Sequence, residues 1–356
     1  KAAIEKCRQA GIKPIMITGD HKDTAVAIAK ELGIISDEKQ AITGIELSQM
    51  SDEEFEPNIM NYAVYARVQP EHKVRIVNAW KKHGKITAMT GDGVNDAPAL
   101  KSADIGVGMG ITGTDVTKNV SDMVLADDNF ASIVYAVEEG RRIYDNIRKS
   151  IQFLLSSNLS EVVAMFTATI MNFKLFSPIH VLWINLITDS FPAIALGMEE
   201  AESDIMEKPP RDTNEGIFAN GLGASVIYQG IVIAVLTLIS FLIGNNQPHI
   251  TNEKLRHITG MTMAFLTLSL CEIFHSLNMK SRVKSIFKIK THNKYLFGAM
   301  LLSFVLTLTV IYLPGINTAF DLTPLSISNL IIAVVLALAI IPIVEIVKLI
   351  ARMKNK

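Results

Sequence analysis

The stretch Thr87–Leu100, TAMTGDGVNDAPAL, sets a short apolar run directly before a glycine-containing turn. The turn carries two carboxylates and an amide, those of Asp92, Asn95 and Asp96. Backbone N–H groups in such turns bind phosphate oxygens, and carboxylate oxygens are ligands that Mg²⁺ prefers. The stretch therefore predicts a phosphoryl-transfer site, because that chemistry relies on positioning and on charge neutralisation.

The sequence before this stretch alternates strand-like and helix-like segments joined by short loops. Such alternation predicts a parallel sheet covered by helices. Ligands of open parallel sheets bind beyond the carboxyl ends of the strands. One such end is Thr18–Asp20, after the apolar run IMI. A lone TGD is more often an ordinary turn, so only the surrounding sequence can indicate that Thr18–Asp20 is part of a binding site.

Four strings together carry a family resemblance: MITGD at 16–20, ARVQPEHK at 66–73, TGDGVNDAPAL at 90–100 and DMVLADDNF at 122–130. They resemble the phosphorylation domain of P-type ATPases, a branch of the haloacid dehalogenase superfamily. The resemblance implies an α/β fold with a Rossmann-type parallel sheet for the cytosolic part of the chain.

The same resemblance implies roles for individual residues. Asp92 and Asp96 would hold the catalytic Mg²⁺, and Asn95 would complete and orient that site. The groups implied to contact the phosphoryl group and ATP are Thr18, Gly19, Asp20 and Lys73. A lysine on a helix surface is usually solvent-exposed and has no specific role. The QPEHK string is the reason for assigning a role to Lys73.

The family's nucleophile is an aspartate in a DKTGT string, and these 356 residues contain no such string. Covalent catalysis requires a carboxylate that accepts the phosphoryl group. We therefore expect a fragment that lacks the nucleophile, the nucleotide and actuator domains and the first four membrane spans. The fragment alone would be inactive. ATP would be bound mainly by the absent domain, and the remainder of the same polypeptide would be a partner.

The second half of the chain is much more apolar than the first. We expect the C-terminal part of the phosphorylation domain over 1–130, a stalk helix over 131–150 and a membrane domain over 151–356. A membrane helix needs about 20 apolar residues. Six spans are predicted, forming an all-α bundle, at about 151–172, 179–198, 222–243, 258–278, 295–313 and 327–349.

Basic residues predict how the bundle is oriented. They concentrate in the segment 280–294, which includes Lys290, and in the tail that ends at Lys356. The positive-inside rule places both segments in the cytoplasm. The sequence thus predicts a multi-pass protein embedded in a lipid bilayer, with a bacterial plasma membrane as the expected location.

Two predicted spans carry polar side chains that membranes disfavour. A carboxylate at the bilayer centre costs about 2.5–3.5 kcal/mol on insertion scales. The polar residues are Asn158 and Glu161 in the first span and Asn185, Thr188 and Asp189 in the second. Their spacing of three and four puts each set on one helical face. Interhelical hydrogen bonding accounts for many isolated amides and hydroxyls, but a set with two carboxylates predicts a cation cage suited to Ca²⁺.

A second resemblance covers the membrane half. SSNLSEVV at 156–163, VLWINLITDS at 181–190 and DIMEKPPR at 204–211 are similar to type II pumps, most closely the sarco/endoplasmic reticulum-type calcium ATPases and their bacterial relatives. It implies that the five polar residues bind the transported Ca²⁺. A gapless alignment puts Ser269 where the family has a further glutamate, with Glu272 one turn away as a substitute. One or two ions per cycle both remain open.

Several functions are compatible with these patterns, and one class is excluded. The 34 basic and 35 acidic side chains nearly cancel, and no nucleic-acid-binding motif occurs. The leading prediction is an ATP-driven Ca²⁺ exporter with an aspartyl-phosphate intermediate. The alternatives are a P-type pump for Mn²⁺, Na⁺ or H⁺, a membrane-anchored phosphatase of the haloacid dehalogenase type, and a regulatory chain without enzymatic activity.

Overall fold

The computed structural model describes residues 1–289 and 291–354. Lys290 and Lys356, two of the basic residues used above to predict orientation, lie outside this range. The chain divides into two compact units. The first contains Lys1–Arg141 and Ala201–Glu215, and the second contains Arg142–Glu200 and Gly216–Lys356.

The first unit is an α/β structure with short parallel strands. The strands are β1 (Met16–Ile17), β2 (Ala41–Thr43), β3 (Val64–Ala66), β4 (Ala88–Gly91), β5 (Ile105–Met109) and β6 (Met123–Leu125). The helices between them are α1 (Ala2–Gln9), α2 (Lys22–Leu32), α3 (Gly44–Gln49), α4 (Asp52–Asn58), α5 (Pro70–Lys82), α6 (Ala97–Ser102) and α7 (Asp115–Val120). The strand–helix alternation that the sequence predicts is confirmed.

The strands form two three-stranded parallel sheets, with the orders β1-β3-β2 and β4-β5-β6. The strand–helix alternation predicts one sheet, but β1 and β4 each pair with one neighbour in the part of the chain that the structure describes. The two sheets nevertheless share apolar packing. Ile17 of β1 packs against the core cluster that contains Met89 of β4 and Leu100 of α6.

Helix α5 supplies much of the apolar cover for these strands. Its buried residues include Ile76, Val77 and Trp80. The spacing of three and four between them makes one apolar face of a helix. Pro70 begins the helix, where a missing backbone N–H costs nothing. This placement positions Lys73 in the first turn of α5, beside the end of β4.

A loop from the second half of the sequence belongs to the first unit. Residues Ala201–Glu215 are held there by Arg141, which donates hydrogen bonds to the carbonyl oxygens of Ala10, Ile205 and Lys208 at 2.7–2.9 Å. Burial of this guanidinium lowers the pKa of Arg141. The DIMEKPPR string is therefore attached to the α/β unit by a charged side chain.

Helix α8 is the longest element, running without interruption over the 41 residues Phe130–Ile170. At 1.5 Å per residue its length is about 60 Å. The boundary between the two units falls inside it, at Arg141. Its sequence is charged as far as Lys149 and apolar afterwards.

Six of the described helices are long and apolar enough to cross a membrane. The bounds are Phe130–Ile170, Pro178–Leu196, Leu222–Asn245, Glu253–Asn278, Lys294–Tyr312 and Ile327–Lys354. The second consists of α9 (Pro178–Trp183), a π-helical segment (Ile184–Asp189) and α10 (Ser190–Leu196). The third to fifth are α11, α12 and α13. A short helix, α14 (Ile316–Ala319), precedes the sixth, which is made of α15 (Ile327–Leu338) and α16 (Ile340–Lys354).

Helix α12 lies at the centre of the second unit, since 83% of its most apolar window is buried. Its close approach to α11 depends on two small residues, Gly244 and Gly260. A Cβ added at Gly244 would lie 2.8 Å from the Cα of Gly260. Small residues allow membrane helices to pack closely. Glu272, further along the same helix, is fully buried in the second unit.

Candidate functional site

The first group of predicted site residues follows β1. The Thr18 hydroxyl donates a 2.9 Å hydrogen bond to Asp20 Oδ2, and the Asp20 N–H donates to Thr18 Oγ1 at 3.1 Å. Gly19 has open space beside it, because an added Cβ would meet nothing within 4 Å. The turn therefore presents an exposed backbone and a carboxylate at the carboxyl end of a parallel strand.

The second group follows β4 and is organised by Asp96. Asp96 Oδ2 accepts hydrogen bonds from the N–H groups of Asp92 and Gly93, both at 3.2 Å. Gly91 makes this turn possible, since an added Cβ there would lie 2.4 Å from the Cβ of Asp96. Asp96 thus fixes the shape of the loop that carries Asp92.

Lys73 provides the positive charge at this turn. Its Nζ lies 2.5 Å from Asp96 Oδ1, although the two residues are 23 positions apart. The side chains are 20% and 9% exposed, so the ion pair is largely shielded from water. Burial alone would raise the pKa of Asp96, but the hydrogen bond and charge of Lys73 and the Gly93 N–H outweigh it, and the pKa is lowered.

Asp92 and Asn95 differ from Asp96 because both side chains are exposed. No protein donor is paired with the Asp92 carboxylate among the described residues. Asp96, in contrast, has both oxygens engaged by Lys73 and by backbone N–H groups. A hard cation such as Mg²⁺, which prefers carboxylate oxygens and water, fits Asp92 as the direct ligand. Asp96 fits the orienting role.

Asp128 anchors a neighbouring loop that the sequence analysis did not single out. Its carboxylate accepts hydrogen bonds from the N–H groups of Gly110, Ile111 and Thr112 at 2.6–3.0 Å, and from the Thr112 hydroxyl. The Ile111 N–H is the main cause that lowers the pKa of Asp128 to about 2. The DMVLADDNF string therefore includes a residue that shapes the loop after β5.

The membrane unit contains the second predicted site, which begins at the π-helical segment Ile184–Asp189. Pro192 lacks an N–H, so a carbonyl in the preceding turn loses its helical partner. The Ser303 hydroxyl donates to the carbonyl oxygen of Ile187 at 2.9 Å, as expected for such a group. Single-turn π segments occur frequently at functional sites.

Glu161 and Asn185 form one half of a polar cluster inside the bundle. The Asn185 amide nitrogen lies 3.0 and 2.9 Å from the two oxygens of the Glu161 carboxylate. Only 3% of Glu161 is exposed. A neutral amide is thus the hydrogen-bond donor that the structure gives this carboxylate.

The other half contains two further carboxylates, those of Asp189 and Glu272. The Thr188 hydroxyl donates to Glu272 Oε2 at 2.7 Å. The Ser157 hydroxyl lies 2.8 Å from Asp189 Oδ1 and also makes a short hydrogen bond with Glu272 Oε1. Asp189 Oδ2 is buried without a hydrogen-bond partner in the described structure. These carboxylates are buried among neutral donors.

The structure does not bring every predicted ligand to this cluster. Asn158 is exposed, and its amide donates to the carbonyl oxygen of Leu154 in its own helix at 2.8 Å. The Ser269 hydroxyl is buried with no partner in the described structure. The carboxylate that α12 brings to the cluster is that of Glu272, the residue that the sequence offered as a substitute for the glutamate replaced by Ser269.

The cluster is a mixed donor set rather than a group of acids. Within residues 1–289 and 291–354, no three His, Cys, Asp or Glu side chains converge so that they could hold a metal ion by themselves. Hydroxyl and amide groups separate the carboxylates. Hard cations such as Ca²⁺ use carboxylate, amide and carbonyl oxygens together, so the chemistry of the donors remains suited to such an ion.

Two parts of the chain match models of known protein families. Residues 173–350 match the family model for the C-terminus of cation-transporting ATPases, and residues 1–104 match that for haloacid dehalogenase-like hydrolases. The chain belongs to the cation-transporting ATPases. Both parts of the fold that the sequence predicts, the haloacid dehalogenase-like unit and the helical membrane region, are confirmed by these matches.

Individual relatives of this ATPase chain are bacterial proteins. It is 47% identical to calcium-transporting ATPase 1 of Bacillus cereus over 98% of this chain and 40% of the relative. It is also 47% identical to a calcium-transporting ATPase of Bacillus subtilis, over 90% of this chain and 36% of the relative. A calcium-transporting ATPase of Listeria monocytogenes is 47% identical over 98% of this chain and 39% of the relative.

The ATPase chain therefore spans about two-fifths of the length of the curated relatives it matches. Its six apolar helices, together with its similarity to bacterial relatives, identify a multi-pass bacterial membrane protein.

Sequence reasoning missed Ser157 in the membrane cluster and Asp128 near the phosphoryl site. Asp128 lies in the DMVLADDNF string and Ser157 in the SSNLSEVV string, but neither string distinguishes these residues from the aspartate and serines beside them.

Proposed function

We propose that this chain is part of an ATP-driven pump that exports Ca²⁺ from the bacterial cytoplasm across the plasma membrane through an aspartyl-phosphate intermediate. One observation carries the proposal. Three buried carboxylates, those of Glu161, Asp189 and Glu272, share one region of the bundle and are hydrogen-bonded to hydroxyl and amide groups. Buried acids without a cation are costly, and a divalent cation would offset that cost.

In this proposal the membrane cluster binds the cargo. Glu161 and Asn185 would bind on one side, and Thr188, Asp189 and Glu272 on the other. Asn158 stays a proposed ligand that this structure does not bring to the cluster. Carboxylates on three elements favour Ca²⁺ over Na⁺, because a monovalent ion neutralises less charge. The relatives named as calcium-transporting ATPases support the same choice.

The first unit would supply the phosphoryl site. We propose that Asp92 binds Mg²⁺, which when bound neutralises phosphate charge and orients the oxygens for transfer. Asp96 orients the Asp92 loop and holds Lys73 beside it. Thr18 and Gly19 would contact the phosphoryl oxygens through a hydroxyl and an N–H, with Asp20 and Asn95 at the rim.

The nucleophilic aspartate would come from a segment outside this sequence. Strands β1 and β4 each pair along one edge in the described structure, and both border the core that contains Met89. A further parallel strand between them would place its carboxyl end between Thr18 and Asp92. The nucleotide would be bound mainly by another domain of the same polypeptide.

The intact protein in sealed vesicles tests this function. We expect Ca²⁺ to stimulate ATP hydrolysis and to produce an acid-stable phosphoenzyme, and Glu161→Gln to abolish both responses. Stimulation by Mn²⁺, Na⁺ or H⁺ instead would assign the pump to another ion. ATP or phosphate-ester hydrolysis that ignores cations and Asp189→Asn would show a membrane-anchored phosphatase and contradict the proposal.

A further inference from the structure

Ser157 contacts two of the buried carboxylates at once. It lies on α8 and is fully buried. Its hydroxyl oxygen is 2.8 Å from Asp189 Oδ1 and is also hydrogen-bonded to Glu272 Oε1. These partners are 32 and 115 residues away in the sequence. One hydroxyl therefore joins α8, the π-helical segment and α12.

The neighbouring serines of α8 behave differently. Ser160 is equally buried, but its hydroxyl donates to the carbonyl oxygen of Ser157 at 2.7 Å, within the same helix. Ser156 donates to the carbonyl oxygen of Phe153 at 2.9 Å, and its hydroxyl lies 3.3 Å from Nε2 of His275 on α12, so it contacts no carboxylate. A bond to a carbonyl one turn back is the usual arrangement for a helical serine. Ser157 instead directs its hydroxyl to side chains of two other elements.

This geometry has a consequence for the two carboxylates. A hydroxyl carries one hydrogen and two lone pairs, so Ser157 donates to one of the two carboxyl groups and accepts from the other when that group is protonated, which links Asp189 and Glu272 through one oxygen. Thr188 fixes the other oxygen of Glu272 at 2.7 Å. Without Ser157, the hydroxyl that contacts both carboxylates would be lost, and the Thr188 hydrogen bond would still tie Glu272 to the π-helical segment without contacting Asp189.

We propose that Ser157 is a positioning residue that holds Asp189 and Glu272 as a pair, so that one cargo cation binds both carboxylates. The inference rests on the proposed function. It assigns Ser157 no contact with the phosphoryl site and no part in ATP hydrolysis itself. Its effect is on the affinity for the ion, since preorganised ligands lose less freedom when they bind.

Equilibrium binding of radioactive Ca²⁺ to the intact protein, without ATP, tests the proposal. Ser157→Thr and Ser157→Val have nearly the same shape and differ in the hydroxyl. We expect Ser157→Thr to stay within about threefold of the wild type and Ser157→Val to bind about tenfold more weakly, the scale of one hydrogen bond to a charged group. Ser157→Ala should resemble Ser157→Val.

Ser160→Ala is the matched control, because it removes a buried hydroxyl from the same helix without touching a carboxylate. It should leave Ca²⁺ affinity within about twofold of the wild type. In phosphoenzyme assays, Ser157→Val should raise the half-saturating Ca²⁺ concentration and leave the level at saturating Ca²⁺ unchanged.

Equal Ca²⁺ affinities for Ser157→Thr and Ser157→Val would overturn the positioning role and leave the proposed pump intact. An equal loss in Ser160→Ala would do the same, because it would point to general packing. A wild-type protein that binds no Ca²⁺ would overturn the proposed function, and this inference with it.

Discussion

Asp96 and Asp189 are both buried aspartates, and the difference between their surroundings separates the two sites. Asp96 is paired with Lys73 at 2.5 Å and accepts two backbone N–H groups. Asp189 accepts one serine hydroxyl, and its other oxygen has no partner in the described structure. The α/β unit neutralises its buried acid with a lysine of its own chain. In the proposed pump, the membrane cluster would leave that role to the transported ion.

This contrast agrees with what each site is proposed to do. The permanent ion pair of Lys73 and Asp96 keeps the Asp92–Asp96 loop in one conformation, since breaking a buried pair is costly. A built-in cation in the membrane cluster would compete with the cargo for the same carboxylates. Glu345 and Lys348 of α16 show that a paired acid can also occur in this bundle, with Nζ and Oε1 3.3 Å apart.

The largest effect is expected from Asp92, whose carboxylate has no protein donor among the residues that the structure describes. Asp92→Asn should lower ATP hydrolysis by the intact protein by about 10²–10³-fold, the scale of one lost electrostatic contact to a transition state. Asp23→Asn removes an equal charge from a side chain that is 91% exposed and should change the rate little. Similar rates for the two variants would contradict the assignment of Asp92.

The next largest effect is expected on Ca²⁺ affinity, when an acid of the membrane cluster is replaced rather than an acid paired with a lysine. Asp189→Asn should weaken Ca²⁺ binding by about 100-fold, because a buried charge that contacts the ion contributes about 2–5 kcal/mol. Glu345→Gln removes an acid already paired with Lys348 and should leave the affinity nearly unchanged. Equilibrium Ca²⁺ binding measures the affinity of both variants. An equal loss of affinity in the two would show that the acid paired with Lys348 and the acid of the cluster do not differ in their contribution to Ca²⁺ binding.

A smaller effect is expected on stability. Lys73→Met leaves Asp96 largely buried without its cation and should destabilise the Asp92–Asp96 loop by about 2 kcal/mol. Lys81→Met breaks a more exposed pair, whose side chains are 37% and 27% exposed, and should cost about 0.5 kcal/mol or less. Hydrogen exchange at the amides of Asp92 and Gly93 in the intact protein measures the change. No acceleration in Lys73→Met would contradict a structural role for the pair.

The smallest effect is a pH dependence with a defined sign. The pKa of Asp96 is lowered in the folded protein, so its contribution to stability is present above the unfolded value of about 3.9. The contribution is lost as the pH falls through the lower, folded value. Asp96→Asn should flatten the loss of protection of these amides, measured against the intrinsic exchange rate at each pH, between about pH 5 and pH 2. An unchanged pH profile in that variant would show that Asp96 does not stabilise the loop.

The sequence predicted the parts of the fold that repeat a local pattern. The TGDGVNDAPAL string predicted the turn after β4. The change from charged to apolar residues along one helical segment predicted the uninterrupted helix α8. The pairing of Lys73 with Asp96 was not predictable, because it joins positions 23 residues apart. Propensity and spacing describe single elements, whereas that contact depends on how α5 packs beside β4.

Ser157 and Glu272 show the same limit inside the membrane. The gapless alignment put Ser269 where the family has a glutamate and offered Glu272, one turn away, only as a substitute, because spacing along one apolar helix does not show which side chain faces the other elements. Ser157 differs from Ser156 and Ser160 only in the direction of its hydroxyl. That direction is set by α8 packing against two other elements, and no spacing rule within α8 contains it.

In the proposed pump, the transported ion binds to carboxylates of the membrane cluster that no lysine or arginine neutralises in the described part of the chain. Equilibrium Ca²⁺ binding to the intact protein should therefore differ between the wild type and Glu161→Gln. We expect saturable binding by the wild type and a loss of about 100-fold in affinity in the variant. Saturable binding of equal affinity in both proteins would show that Glu161 does not bind the ion.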